Sequence, residues 1–125
     1  MKTIIQALAD NPRVLAAYLL GSGVRGTLRP DSDLDIGLLP TPGTRLSPVE
    51  LAEIAAQLTP LVGRPVDLGL ISSANLVYAR QAILTGQRIL CKDPFTADNT
   101  VATLLGLAAQ FDYERREVIH AYSAA

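Results

Sequence analysis

Apolar residues along the chain fall into short continuous runs separated by stretches of helical spacing. Residues 13–20, RVLAAYLL, and 34–39, LDIGLL, are runs of the length and content expected of buried strands. Gly21 stops the first, and Gly37 weakens the second from inside. RPVDLGL at 64–70 predicts a third strand and QRILC at 87–91 a short fourth. Between them, Ile4, Ile5 and Leu8 mark a helix over residues 2–10, ended by Asn11-Pro12. Ser47, Pro48 and Glu50 form a helix start, with Leu51, Ile54, Ala55 and Leu58 as its apolar stripe and Pro60 closing it. Ser72 or Ser73 is expected to cap a helix through residues 75–85, with Gly86 as a left-handed terminator. A last helix is expected from Thr96 or Asp98 to about Tyr122. Val101, Leu104, Leu105, Ala108, Phe111, Val118 and Ile119 give it an apolar face, and DYERREV makes its second half charged and solvated. The order implies a small α/β (α+β) domain, a short mixed sheet of about four strands with helices packed on it.

Length and composition narrow this further. The 125 residues, 49% of them hydrophobic, fit a single domain over 1–125 with one core. Aromatics are only 5% and Trp is absent, so that core must rest on Leu, Ile, Val and Ala. A net charge of −1 offers no electrostatic footprint for duplex nucleic acid. No run approaches the ~20 apolar residues of a membrane span. The first residues lack the unbroken apolar stretch of a signal peptide, and the lone Cys91 suits a reducing compartment, so the expected location is the cytoplasm.

The chemistry concentrates at AYLLGSGVRGTLRPDSDLDIGLL, residues 17–39, where Asp31, Asp33 and Asp35 alternate into the second strand. Alternation puts Asp33 and Asp35 on one side of the strand, about 7 Å apart at a rise of ~3.3 Å per residue. Two like charges there call for a cation, and Mg2+ suits them because it takes one or two carboxylates and completes its shell with water and phosphate. A solvated PDSD turn is the plain alternative. A calcium loop is excluded, since its glycine would fall at Ile36 and its bidentate glutamate at Pro42.

GSGVRG directly follows the first strand. A tight turn there exposes backbone N–H groups of Gly21 to Gly23, and the Ser22 hydroxyl and Arg25 add donors for the same phosphate. It is not a P-loop, because no G-K-[ST] pair follows. Gly21, Gly23 and Gly26 match G-x-G-x-x-G, but no acidic residue ends a βαβ unit about 20 residues on.

Together the two features give G-S-x(2)-R-G-x(5)-S-D-x-D, carried by Gly21, Ser22, Arg25, Gly26, Ser32, Asp33 and Asp35. This resembles the signature of the DNA polymerase beta-like nucleotidyltransferase superfamily, above all its minimal nucleotidyltransferase (MNT) branch. The resemblance covers roughly residues 14–92, with Val24 standing where many relatives carry alanine. It implies a third carboxylate on a later strand, for which Asp67 is the match. It further implies ATP as substrate on the Gly21-Ser22 turn, and two Mg2+ ions held by Asp33, Asp35 and Asp67. The chain's size matches MNT antitoxins paired with HEPN toxins, which implies AMP transfer to a partner protein and a possible homo- or hetero-oligomer. A module that neutralises a partner by covering it, or transfer to a small molecule, are the rival expectations. His120 reads as exposed, Cys91, Tyr18 and Tyr78 as packing, and Arg88 and Lys92 as solvated surface.

Overall fold

The structure is a computed structural model that describes residues 1–21 and 32–124. In chain order the described elements are α1 (Lys2–Ala9), β1 (Val14–Leu19), β2 (Leu34–Pro40), α2 (Pro48–Val62), β3 (Val66–Leu70), α3 (Leu76–Thr85), β4 (Gln87–Cys91) and α4 (Pro94–Ala124). The strands form one sheet in the order β3-β2-β1-β4. β1 runs antiparallel to β2 and β4, and β2 runs parallel to β3, so the sheet is mixed as expected. Among the described residues no helix is long and apolar enough to cross a membrane.

Both faces of the sheet are covered. Leu34, Ile36 and Leu38 of β2, with Val66 of β3, pack into a core with Ile4 and Leu8 of α1 and Ile54 and Leu58 of α2. Alternation sends Leu39 of β2 and Ile71, just past β3, to the opposite face. There they join Ala79 and Ala82 of α3 and Ala97 and Leu104 of α4. β1 is buried along its whole length, which is why its sequence is a continuous apolar run rather than an alternating one.

The helix starts obey local chemistry. Ser47 caps α2, its hydroxyl accepting from the Glu50 N–H at 3.1 Å, with Pro48 in the first turn. Four boundaries differ from expectation. Pro60 does not close α2; the helix runs on to Val62, which packs against the core, and ends at Gly63 in the left-handed conformation at φ 69. Pro60 lacks one N–H, and the Gly63 N–H still reaches the Thr59 carbonyl at 3.0 Å. Asn75, not Ser72 or Ser73, caps α3 by accepting from the Tyr78 N–H at 3.2 Å. The Ser72 hydroxyl accepts from the Ala74 N–H instead, forming the turn ahead of the helix.

Gly86 is extended, at φ −82 and ψ 163, rather than left-handed. Glycine is needed there for space, since a Cβ would lie 2.4 Å from the Ala82 carbonyl oxygen and 2.6 Å from Leu20. α4 starts at Pro94, ahead of both expected caps. The Asp93 carboxylate accepts from the Thr96 hydroxyl at 2.8 Å and N–H at 3.3 Å, and these bonds lower its pKa. Of the expected α4 face, Leu104 and Ala108 are buried, whereas Phe111, Val118 and Ile119 are exposed, because the helix outruns the sheet.

The Ser47 cap provides a check on this account of α2. Ser47→Ala should destabilise the protein by about 1 kcal/mol in denaturant melts. No change would mean that core packing alone sets where α2 begins.

Candidate active site

Parallel pairing of β2 and β3 places Asp35 directly opposite Asp67 and Gly37 directly opposite Gly69. Asp35, Gly37 and Leu39 share one face of β2; Asp67 and Gly69, followed by Ile71, share the same face of the neighbouring strand. Each strand therefore reads carboxylate, glycine, aliphatic along that face. The aliphatic end is core, and the carboxylate end opens into a cleft of about 280 Å³. Gly21 and Leu20 at the end of β1, Asp35, Asp67 and the α3 residues Tyr78 and Gln81 are among its lining.

The end of β1 is tied to this point by the Leu20 N–H, which donates to the Asp35 carbonyl at 2.9 Å. Gly21 has φ +63, and a Cβ there would lie 3.2 Å from Asp35 Oδ2. Glycine thus serves twice, permitting the left-handed turn and the close approach of the carboxylate. Burial pushes the Asp35 carboxyl above its usual range, and the charges of Asp67 and then Asp33 push it further. The three expected carboxylates therefore share one electrostatic neighbourhood, although Asp33 and Asp67 are exposed.

Among the described residues, no three Asp, Glu, His or Cys side chains are already gathered into a metal cage. The donor set nevertheless fits Mg2+, which binds through one or two carboxylates plus water and phosphate rather than an all-protein cage. The ion pairs Arg13–Glu50, Arg80–Asp112 and Arg88–Asp98 engage other carboxylates. Ser22, Arg25 and Gly26 lie outside the described residues; Ser32 lies just before Asp33 and is partly buried.

Tyr78 is more than packing. Its hydroxyl lies over the paired glycines: a Cβ at Gly69 would meet it at 2.0 Å, and one at Gly37 at 3.3 Å. Burial raises the phenol's pKa, and the charges of Asp67 and Asp35 raise it again, so the group is a neutral donor beside two carboxylates. Tyr78, Gln81 and Thr85 wall the cleft from α3. Their spacing of three and four along one helix face, and the repeated D-x-G of β2 and β3, were the available sequence signals. Arg88 and Lys92 are exposed as expected, and each is engaged: Arg88 donates to Asp98 at 2.8 Å and Lys92 to the Asn11 carbonyl at 2.5 Å.

A family profile described as polymerase beta, nucleotidyltransferase matches residues 2–95. The protein adenylyltransferase MntA of Shewanella oneidensis is 33% identical over 87 residues, 69% of this chain and 61% of that protein. The chain thus spans less than two-thirds of that relative's length. A chain in the crystal structure of a toxin–antitoxin with AMP-PNP matches with TM-score 0.81 and 26% identity, covering 98% of this chain and 97% of that one. A complex of tri-AMPylated S. oneidensis HEPN toxin with MNT antitoxin shares the fold, at TM-score 0.75 and 23% identity over 98% of this chain and 94% of that one.

Two outcomes test the geometry of the carboxylates. The raised pKa of Asp35 means that the folded state binds its proton more tightly than the unfolded state. Stability from this group is therefore present at low pH and lost as pH rises from the ordinary carboxyl value of 3.8 through the higher folded value. Asp35→Asn should melt no lower than wild type at neutral pH without metal, and any gain should vanish below pH ~4. A much lower melting temperature would make Asp35 a structural hydrogen-bond acceptor. Gly21→Val should lower the melting temperature and displace the Asp35 side chain, because it combines a disfavoured φ with a 3.2 Å contact. An unshifted Asp35 carboxyl signal in the NMR spectrum of that variant would contradict the packing of Gly21 on Asp35.

Proposed function

The chain belongs to the polymerase beta nucleotidyltransferase family, and from that premise we propose that it transfers AMP from ATP to a hydroxyl on a HEPN-type partner protein. In this reading it is the antitoxin of an MNT/HEPN pair and a single domain over residues 1–125. The observation that carries it is the facing pair Asp35 and Asp67 beside the Gly21 turn. The name of the MntA relative and the AMP-PNP bound in a structurally similar complex support the choice of nucleotide and partner.

Asp33, Asp35 and Asp67 would be the carboxylates that hold two Mg2+ ions. Bound there, Mg2+ would neutralise the triphosphate and lower the pKa of the attacking hydroxyl. The turn from Gly21, with Ser22, Arg25, Gly26 and Ser32, would hold the triphosphate through backbone amides and donor side chains. Asp67 accepts the proton of the acceptor hydroxyl as its oxygen bonds to the α-phosphorus. The bond from that phosphorus to the β-phosphate oxygen breaks, and pyrophosphate leaves. The partner ends with one AMP ester for each hydroxyl used.

A second reading, neutralisation by binding alone, draws on α4, where Phe111, Val118 and Ile119 stay exposed. One assay separates the two. Incubation with labelled ATP, Mg2+ and the product of the adjacent gene should add AMP to that protein, detected by mass spectrometry, and Asp35→Asn should abolish the addition. Inactivation of the partner with no mass gain would replace transfer by binding. Mg2+ with ATP should also raise the melting temperature of wild type by mass action and that of Asp35→Asn much less. Equal shifts would remove Asp35 from the metal–nucleotide site.

A further inference from the structure

The cleft has two chemically distinct parts. Gly21, Asp35 and Asp67 make one, which suits phosphate and metal. The other is the α3 wall, where Tyr78, Gln81, Ala82 and Thr85 recur at helical spacing, with Leu20 alongside. This second part has apolar surfaces with a few convergent polar groups, the lining of a site for a planar organic group.

We propose that Gln81 reads the base of the bound nucleotide, its side-chain amide pairing with the donor–acceptor edge of adenine. The assignment rests on the nucleotidyltransferase reading of the site. With phosphates held at the Gly21 and carboxylate end, the nucleoside takes the remainder of the cleft. Ala82 is 1% exposed and lies in the core behind this wall, so the wall's polar groups beside Tyr78 come from Gln81 and Thr85. The Thr85 hydroxyl donates to the Gln81 carbonyl at 2.7 Å, which commits its proton. Tyr78 is held against Gly69 and Gly37, which fixes α3 against β2 and β3 and so sets the depth of the cleft.

The Gln81 side-chain amide makes no hydrogen bond among the described residues. It offers a donor and an acceptor side by side. Adenine presents the complement, an amino donor beside a ring-nitrogen acceptor. Guanine presents two acceptors at the same edge, so the amide oxygen would face the guanine carbonyl and one bond would be lost.

Calorimetry with the non-hydrolysable analogues AMP-PNP and GMP-PNP, in Mg2+, tests this without requiring transfer. Wild type should prefer AMP-PNP. Gln81→Met keeps the length and the helix propensity and removes the amide. It should weaken AMP-PNP binding by about tenfold, the scale of one bidentate pair, while changing GMP-PNP affinity little and leaving the melting temperature in place. If wild type prefers AMP-PNP and Gln81→Met keeps that preference, the assignment of Gln81 is wrong and the nucleotide site stands. If wild type binds neither analogue, the nucleotidyltransferase reading falls and the assignment with it. Equal loss of both analogues would make Gln81 a wall of the cleft rather than a reader of the base.

Discussion

Two carboxylates held at paired positions on adjacent parallel strands repel each other, and the fold is arranged to keep them there. Asp35 and Asp67 are partners in the β2–β3 ladder, and burial first, then the charge of Asp67, pushes the Asp35 carboxyl above its usual range. Neither can move away without shifting its strand, because Ile36, Leu38 and Val66 anchor the other face of the same strands in the core with α1 and α2. Residues that alternate with the carboxylates thus hold them in place. Register matters accordingly, since a slip by one residue would send both aspartates into the core and Ile36 into the cleft.

The second constraint is the space between the carboxylates and the core on that same face. Side chains at positions 37 and 69 would fill it; glycines leave a notch, and Tyr78 from α3 occupies it. This explains a strand composition that reads poorly by propensity alone. Glycine weakens an isolated strand by entropy and lost packing, yet here the missing Cβ atoms admit an aromatic ring from another element. α3 is held in turn by α4, through Ala79 and Ala82 against Ala97 and Leu104, and by the Arg80–Asp112 pair, which is partly exposed and fixes orientation more than it adds stability.

Much of this was readable from residue pattern because the signals were local or periodic. The four strands and the Ser47 cap follow from apolar runs and from one capping box. Asp35 was identifiable from its alternation with Asp33 into a strand and Asp67 only through the family resemblance, and their facing register depended on β2 and β3 being parallel neighbours, which no local pattern encodes. The misjudged boundaries each involve a competitor of similar local merit. Asn75 outcompeted two serines because the preceding turn used the Ser72 hydroxyl, and Asp93, by accepting from Thr96, let α4 start at Pro94, two residues before Thr96. Pro60 was overridden by the burial of Val62 one half-turn on. Tyr78 passed as packing because its target is a pair of glycines more than eight residues upstream, a contact that only the folded sheet creates.

The asymmetry of the sheet's two faces shows why a site forms on one of them. Opposite the cleft, α1 and α2 cover strands whose inward residues are all aliphatic, so nothing polar remains to bind. On the cleft side, α3 and α4 pack over the aliphatic half of β2 and β3, and α3 walls the cleft beside the aspartates without covering it. The uncovered half lies at the end of β1, where the chain turns through Gly21 toward the Ser32-Asp33 segment. Gly21, the carboxylates and one wall of a helix therefore meet at a single sheet end, and none of them had to be buried at the expense of the core. The cost is the partial burial of the Asp35 carboxylate beside the charges of Asp67 and Asp33, and a cation is the chemistry that relieves it.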